Sequence, residues 1–176
     1  VEGGEAAVFT SFALGATEAE WSPDGSRLAV IGVEWLGEWA GLDEAERKRH
    51  PRRITRAGYR FDDLGWRHDR RSNVYLVDPG GGSPVALSEG ESHDSGLCWR
   101  PDGGAVGFLS PRHEQRYIDG ANQAWEAPVE GGGLRALTAP GSWHNLSYRP
   151  DGVAYLVGIL DTWDWPAVAG LWRLEE

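Results

Sequence analysis

Pro-Asp-Gly occurs three times in this chain, at Pro23, Pro101 and Pro150, each time two residues after an aromatic side chain and shortly before an apolar run. The copies read Trp21-Ser22-Pro23-Asp24-Gly25 before residues 28–31, Trp99-Arg100-Pro101-Asp102-Gly103 before 105–109, and Tyr148-Arg149-Pro150-Asp151-Gly152 before 154–157. Proline presets φ for the second position of a turn, Asp suits the third, and Gly supplies the positive φ that completes a reversal. Each copy therefore predicts strand, tight turn, strand.

The repeat extends beyond the turn. Leu87 and Leu137 lie 137 − 87 = 50 positions apart, and the same offset pairs Tyr75 with Trp125, Ala86 with Ala136 and Gly81-Gly82 with Gly131-Gly132. A second offset, 99 − 21 = 78, joins Trp21 to Trp99, Phe9 to Leu87 and Thr10 to Ser88. The first unit thus carries 78 − 50 = 28 extra residues. They fall between Val33 and Asn73, where the β pattern lapses. Within this stretch, residues 41–51 place Asp43, Glu44 and Glu46 ahead of Arg47, Lys48 and Arg49 and end at Pro51. That charge order complements a helix dipole, so the segment predicts a short surface helix.

One unit of about 50 residues holds four short strands, which in the second unit are placed at 97–99, 105–109, 123–127 and 134–138, with Gly131–Gly133 turning the last hairpin. Four antiparallel strands repeated at this spacing predict an all-β fold, an incomplete β-propeller of about three blades with one helical insertion. The expected divisions are 1–15, an outer strand of a preceding blade; 16–90, a blade with its insertion at 34–72; 91–141, a second blade; and 142–176, an incomplete third. Propellers close with about four to eight blades, so three do not complete a ring. With Val1 falling in mid-motif and no Met anywhere, the chain is expected to be a piece of a longer protein.

A 40% hydrophobic content fits a packed domain. A formal net charge of −10 repels phosphate, so nucleic acids and anionic membranes are not expected partners. No apolar run reaches membrane-spanning length, and the cytoplasm is the default location. The lone Cys98 excludes an internal disulfide and reads as a small buried hydrophobe in a strand.

Catalytic patterns are missing. Ser92-His93-Asp94 resembles a triad only in composition, because neighbouring side chains on an extended segment point to opposite sides. No Gly-x-Ser-x-Gly elbow occurs, and the five histidines lack metal-binding spacing. Catalytic residues, metal and cofactor are accordingly all assigned as none. Trp21, Trp99, Trp125 and Trp172 recur at blade stations and read as packing between blades. Trp35, Trp39, Trp66, Trp143, Trp163 and Trp165 fall elsewhere, either capping the core or lining a binding surface.

Residues 53–56 (Arg-Ile-Thr-Arg), 59–66 (Tyr-Arg-Phe-Asp-Asp-Leu-Gly-Trp) and 70–78 (Arg-Arg-Ser-Asn-Val-Tyr-Leu-Val-Asp) resemble the propeller segment of acylaminoacyl-peptidase-like members of the prolyl oligopeptidase family. The Trp-Ser-Pro-Asp-Gly and Gly-Gly-x-Pro phrases are similar to that family's blades, although Pro-Asp-Gly blades also occur in TolB-like propellers. The resemblance implies a non-catalytic propeller of a serine peptidase, whose partner α/β-hydrolase domain holds the catalytic residues. Its role there is to gate the access of peptide substrates. The alternative is a TolB-like propeller that binds proteins.

Loops on a rigid scaffold commonly hold binding residues. The candidate substrate-binding set is therefore Tyr59, Arg60, Asp62, Asp63 and Trp66 in the insertion, with Arg60 suited to a peptide carboxylate and Asp62 or Asp63 to an amino terminus. Exposed blade faces and strand edges also predict self-association.

Overall fold

The structure, a computed structural model, describes residues 8, 10–62, 65–160 and 167–174. In chain order, β1 (Ala16–Trp21) and β2 (Leu28–Trp35) open the first sheet. The insertion follows with a 3₁₀ turn over Gly37–Gly41, α1 (Glu44–Arg49), and the short strands β3 (Arg60–Phe61) and β4 (Gly65–Trp66). β5 (Arg70–Val77) and β6 (Val85–Ala86) complete that sheet in the order β1-β2-β5-β6. The second sheet contains β7 (Ser95–Trp99), β8 (Ala105–Ser110), β9 (Gln123–Pro128) and β10 (Arg135–Ala136), each paired with its sequence neighbour. The third contains β11 (Ser142–Tyr148), β12 (Ala154–Ile159) and β13 (Gly170–Arg173). All pairings between these strands are antiparallel, and the architecture is the three-bladed partial propeller expected.

The three Pro-Asp-Gly turns are built alike. Gly25, Gly103 and Gly152 donate their N–H groups to the carbonyls of Ser22, Arg100 and Arg149 at 2.8–2.9 Å, with φ between 71° and 89°. In each turn the Asp carboxylate accepts the backbone N–H two residues on, from Ser26, Gly104 and Val153, which closes the loop from inside. The sequence offsets are equally literal. Trp21 pairs with Leu28 as Trp99 pairs with Val106, 78 residues later, and Tyr75 pairs with Ala86 as Trp125 pairs with Ala136, 50 residues later. Leu87 and Leu137 occupy the same station, donating to the carbonyls of Val74 and Ala124. The β2–β5 ladder runs on to Trp35–Arg70, beyond the point where the apolar pattern lapses, and there the half-buried Glu34 accepts from Arg71 and from the Tyr75 hydroxyl while Arg70 lies over Trp35.

Apolar seams join the sheets. Ala29, Val74 and Leu76 of the first sheet meet Trp99, Val106, Phe108 and Ala127 of the second. Cys98, Leu109 and Ala124 of the second meet Trp143, Leu146, Ala154 and Leu156 of the third. Full burial of a side chain such as Phe108 contributes about 1.5–3 kcal/mol. The opposite face of the first sheet carries Leu28, Val30 and Val77, over which Phe12 packs. Residues 1–7 and Phe9, where a preceding outer strand was expected, lie outside the described residues.

The four recurring tryptophans occupy two stations, the first strands for Trp21 and Trp99 and the third strands for Trp125 and Trp172, rather than one equivalent position. Trp99 reaches across the seam to donate its indole N–H to the Glu20 carbonyl at 2.8 Å. Trp21 holds the same place one blade earlier, yet it is 54% exposed where Trp99 is 8%, since no described sheet precedes it. Trp125 and Trp172 sit on the third strands and donate to the equivalent carbonyls of Ser110 and Gly158.

Gly107 marks the closest approach in the second seam. A Cβ at this position would lie 2.7 Å from Leu146 Cδ2 and 2.9 Å from Cys98 Sγ. Because buried side chains there have little room to retreat, Gly107→Ala should destabilise the fold by about 1–3 kcal/mol, read as a lower urea midpoint at unchanged m-value.

Candidate functional site

In an antiparallel meander the connections alternate between the two ends of each sheet. The tight Pro-Asp-Gly turns and the glycine-rich hairpins fall at one end, and the connections from second to third strand fall at the other. In the first blade this connection is residues 36–69, and in the second it is 111–122. The long segments therefore meet at one end of adjacent blades, where they enclose a cleft of about 520 Å³.

The insertion is ordered by arginine–aromatic contacts. Asp43 caps α1, accepting from the Glu46 N–H while Glu46 accepts from the Asp43 N–H. A six-residue helix gains little from propensity alone, and Arg47 holds it to the blade by stacking over Trp35 at 4.5 Å. Arg52 lies between the rings of Trp39 and Trp66, at 4.3 and 4.5 Å, and donates to the Asp69 carboxylate at 2.6 Å. Burial alone would raise the Asp69 pKa, but hydrogen bonds and charge from Arg70 and Arg52 outweigh it and hold the carboxyl below its ordinary range. Trp35, Trp39 and Trp66 thus pack on cations that fold the insertion.

The second wall of the cleft is stapled in the same manner. Asp94 is fully buried in its side chain and accepts from Ser88 of the first blade, from Ser110 at the end of β8, and from Arg112 at 2.8 and 2.9 Å. This clasp ties the seam between the two blades to the start of the 111–122 loop. Within that loop, His113 Nε2 lies 2.9 Å from an Asp119 carboxylate oxygen, and the Ala121 N–H donates to the same carboxylate. Burial would raise the Asp119 pKa, and the bonds from Ala121 and His113 bring it below the ordinary value. Arg56 bridges the two walls, donating to Glu91 at 2.9 Å and to the Tyr117 hydroxyl at 2.6 Å.

Ser92, His93 and Asp94 do not assemble a triad. Ser92 donates to the Pro111 carbonyl, and Asp94 is committed to the clasp. His93 contacts Ser72 Oγ through Nδ1 at 3.2 Å and the Arg67 carbonyl through Nε2 at 3.2 Å, so Nε2 carries the proton and Nδ1 accepts from the serine hydroxyl. Cys98 is buried, which raises its thiol pKa to about 12 and keeps it protonated.

Of the substrate-binding candidates from the sequence, Tyr59, Arg60, Asp62 and Trp66 lie on or beside the β3–β4 hairpin. Tyr59 and Trp66 face one another with ring centroids 6.0 Å apart. Arg60 is exposed with its guanidinium 5.3 Å from the Trp66 ring, and among the described residues it forms no ion pair, with Asp62 or otherwise. Asp62 is exposed, and Asp63 lies outside the described residues. The hairpin reaches the cleft through Phe61, which lines it, while Tyr59, Arg60, Asp62 and Trp66 do not. Arg56, Arg67, His68, His93, Arg116 and Tyr117, which do line it, were not in the substrate-binding set drawn from the sequence. The available signal was the repeat register, which puts residues 111–122 at the same station as the longer insertion.

His93 gives the cleft a pH signature. Burial first, and then the positive charges of Arg67, Arg56 and Arg70, depress its pKa to about 4. The unfolded chain takes up the proton near pH 6.5 while the folded chain does not, so stability falls as pH drops through 6.5 and levels off below about 4. Between pH 7.5 and 4.5 the native chain should lose roughly 2–3 kcal/mol more than His93→Gln, measured by urea unfolding.

No family model matches the chain. Among curated proteins it is 30% identical over 107 residues to YuxL, an uncharacterized peptidase of Bacillus subtilis, in a match spanning 60% of this chain and 16% of that protein. Among solved structures it resembles the acylaminoacyl peptidase of Pyrococcus horikoshii with a TM-score of 0.62 at 16% identity, over 90% of this chain and 24% of that one. It resembles a TolB protein from Agrobacterium tumefaciens with a TM-score of 0.58 at 20% identity, over 94% of this chain and 45% of that one. The chain spans less than half the length of each of these relatives. No helix among the described residues is long and apolar enough to cross a membrane. The fold is that of a β-propeller segment resembling the propellers of acylaminoacyl peptidase and of TolB.

Proposed function

We propose that this chain is the non-catalytic propeller part of a serine peptidase of the acylaminoacyl-peptidase or dipeptidyl-peptidase type, and that it gates the access of peptides to an α/β-hydrolase domain. The observation that carries this reading is the gathering of the long, arginine-rich connections at one end of the blades, opposite an end made of tight turns. A wall of that kind admits an extended peptide and excludes a folded domain by size. The likeness to acylaminoacyl peptidase and the match to YuxL support the peptidase context. In this reading Tyr59, Arg60, Asp62, Asp63 and Trp66 present a substrate-facing hairpin on which Arg60 receives a carboxylate.

The likeness to TolB, which takes in 94% of this chain, favours a second reading as a protein-binding propeller. A fluorophosphonate probe for serine hydrolases separates the two. The full-length gene product should be labelled while residues 1–176 alone are not, and an unlabelled full-length product sinks the peptidase reading. In the labelled enzyme Arg60→Ala should raise KM by about tenfold, the loss of one charge-assisted contact; unchanged kinetics would remove Arg60 from the site.

Val157 and Leu171, cross-strand neighbours on β12 and β13, leave the last blade with an exposed apolar face, 40% and 74% accessible, as Trp21 does at the other end of the row. We propose that these faces join copies of the isolated chain, so sedimentation equilibrium should show dimers or larger species. A monomer at all concentrations excludes that association.

A further inference from the structure

We infer that the cleft between the insertion and the 111–122 loop binds the free carboxylate end of a short peptide whose last side chain is apolar. The chain as a whole carries −10, yet among the described residues this cleft is lined by Arg56, Arg67 and Arg116 against one acidic residue, Glu91. A concentration of one sign in a walled cleft focuses its field on an ion of the other sign.

The donors are anchored before any ligand arrives. Arg116 is stacked 4.4 Å from the Tyr117 ring and donates from Nη1 to the His113 carbonyl, an arrangement that fixes its planar fork with further N–H donors to offer. Tyr117 is itself held between Arg116 and Arg56, whose guanidinium carbon lies 4.6 Å from the ring on its way to Glu91. His68 also lines the cleft, and among the described residues neither of its buried ring nitrogens has a hydrogen-bond partner.

The remaining wall is apolar. Phe61, Leu109, Pro111 and Ile118 face the same space, and Ile118 is 82% exposed at the rim. A volume of about 520 Å³ suits a few residues of an extended chain rather than an inorganic ion. Donors on one side and aliphatic and aromatic groups on the other match a carboxylate on an apolar stem, as at the last residue of a peptide. The choice of a peptide over other such carboxylates rests on the peptidase reading above. The site shares Phe61 with the hairpin of Arg60, while Tyr59, Arg60, Asp62 and Trp66 are not part of its lining.

Calorimetric titration of the 176-residue chain with N-acetyl-Ala-Ala-Leu should show saturable binding, and the C-terminal amide of the same peptide should bind at least about tenfold more weakly. Arg116→Gln removes a donor, and Ile118→Glu places a like charge at an exposed position that the fold does not need; each should weaken the free acid by about tenfold. Thermal melts verify that both variants are folded. Equal affinity for acid and amide, no binding of the acid at millimolar concentration, or unaltered affinity in both folded variants overturns the inference. So does N-acetyl-Ala-Ala-Glu amide binding as tightly as the acid, since a side-chain carboxylate would then suffice. None of these readouts requires hydrolysis. A full-length protein that accepts the serine probe while this chain ignores the peptide would leave the peptidase reading standing and remove this one.

Discussion

Face-to-face packing of consecutive sheets dictates what each strand may contain. β8 is buried at every position from Ala105 to Ser110, because Val106 and Phe108 lean on the first sheet while Gly107 and Leu109 face the third. A strand covered on both sides loses the alternation of apolar and polar residues that marks a half-exposed sheet. The third blade has one neighbour among the described residues, and β12 shows the result by alternating buried with more exposed positions, whereas β2 is covered on its outer side by Phe12. The tryptophans follow the same rule, since Trp99 is covered by the preceding sheet and Trp21 is not.

The polar interactions serve that packing at its margins. The Asp94 clasp joins Ser88, Ser110 and Arg112 where the first seam reaches the loops, and Asn122 plays a comparable part at the second seam, donating to the Trp143 carbonyl and accepting its N–H. Removing one partner of a buried ion pair leaves an uncompensated charge, which is why such groups come as a set. In the insertion, where the apolar core gives out, arginines sandwiched between aromatic rings supply order instead.

The strands and turns were legible because their causes are local and repeated. Pro-Asp-Gly fixes backbone angles wherever it occurs, and two constant offsets carried the register from the first blade to the second, while in the third the turn alone marked the strands, its copy being one residue shorter between Tyr148 and its partner Ala154. The helix was legible too, from charge order and Pro51. The cleft was not. Its walls come from segments some fifty residues apart, and its arginines look in sequence like a solvated basic run. Only the topology, by bringing Arg56 to Tyr117, reveals that they face a shared space. Attention fell on the hairpin of Arg60 because its aromatic and charged residues are contiguous, whereas the cleft residues are scattered.

The separation of turn types between the two ends of the sheets has an evolutionary reading. At the Pro-Asp-Gly end, each connection is only a few residues long and its angles are specified, so insertion there would break the pairing of Trp21 with Leu28 or its counterparts. At the opposite end, Trp35 and Arg70 remain paired although more than thirty residues separate them, and loop closure grows only slowly more costly with length. One rim of this protein is therefore held constant by geometry while the other is free to diversify, so descendants of the same scaffold can acquire new specificities without altering a single strand.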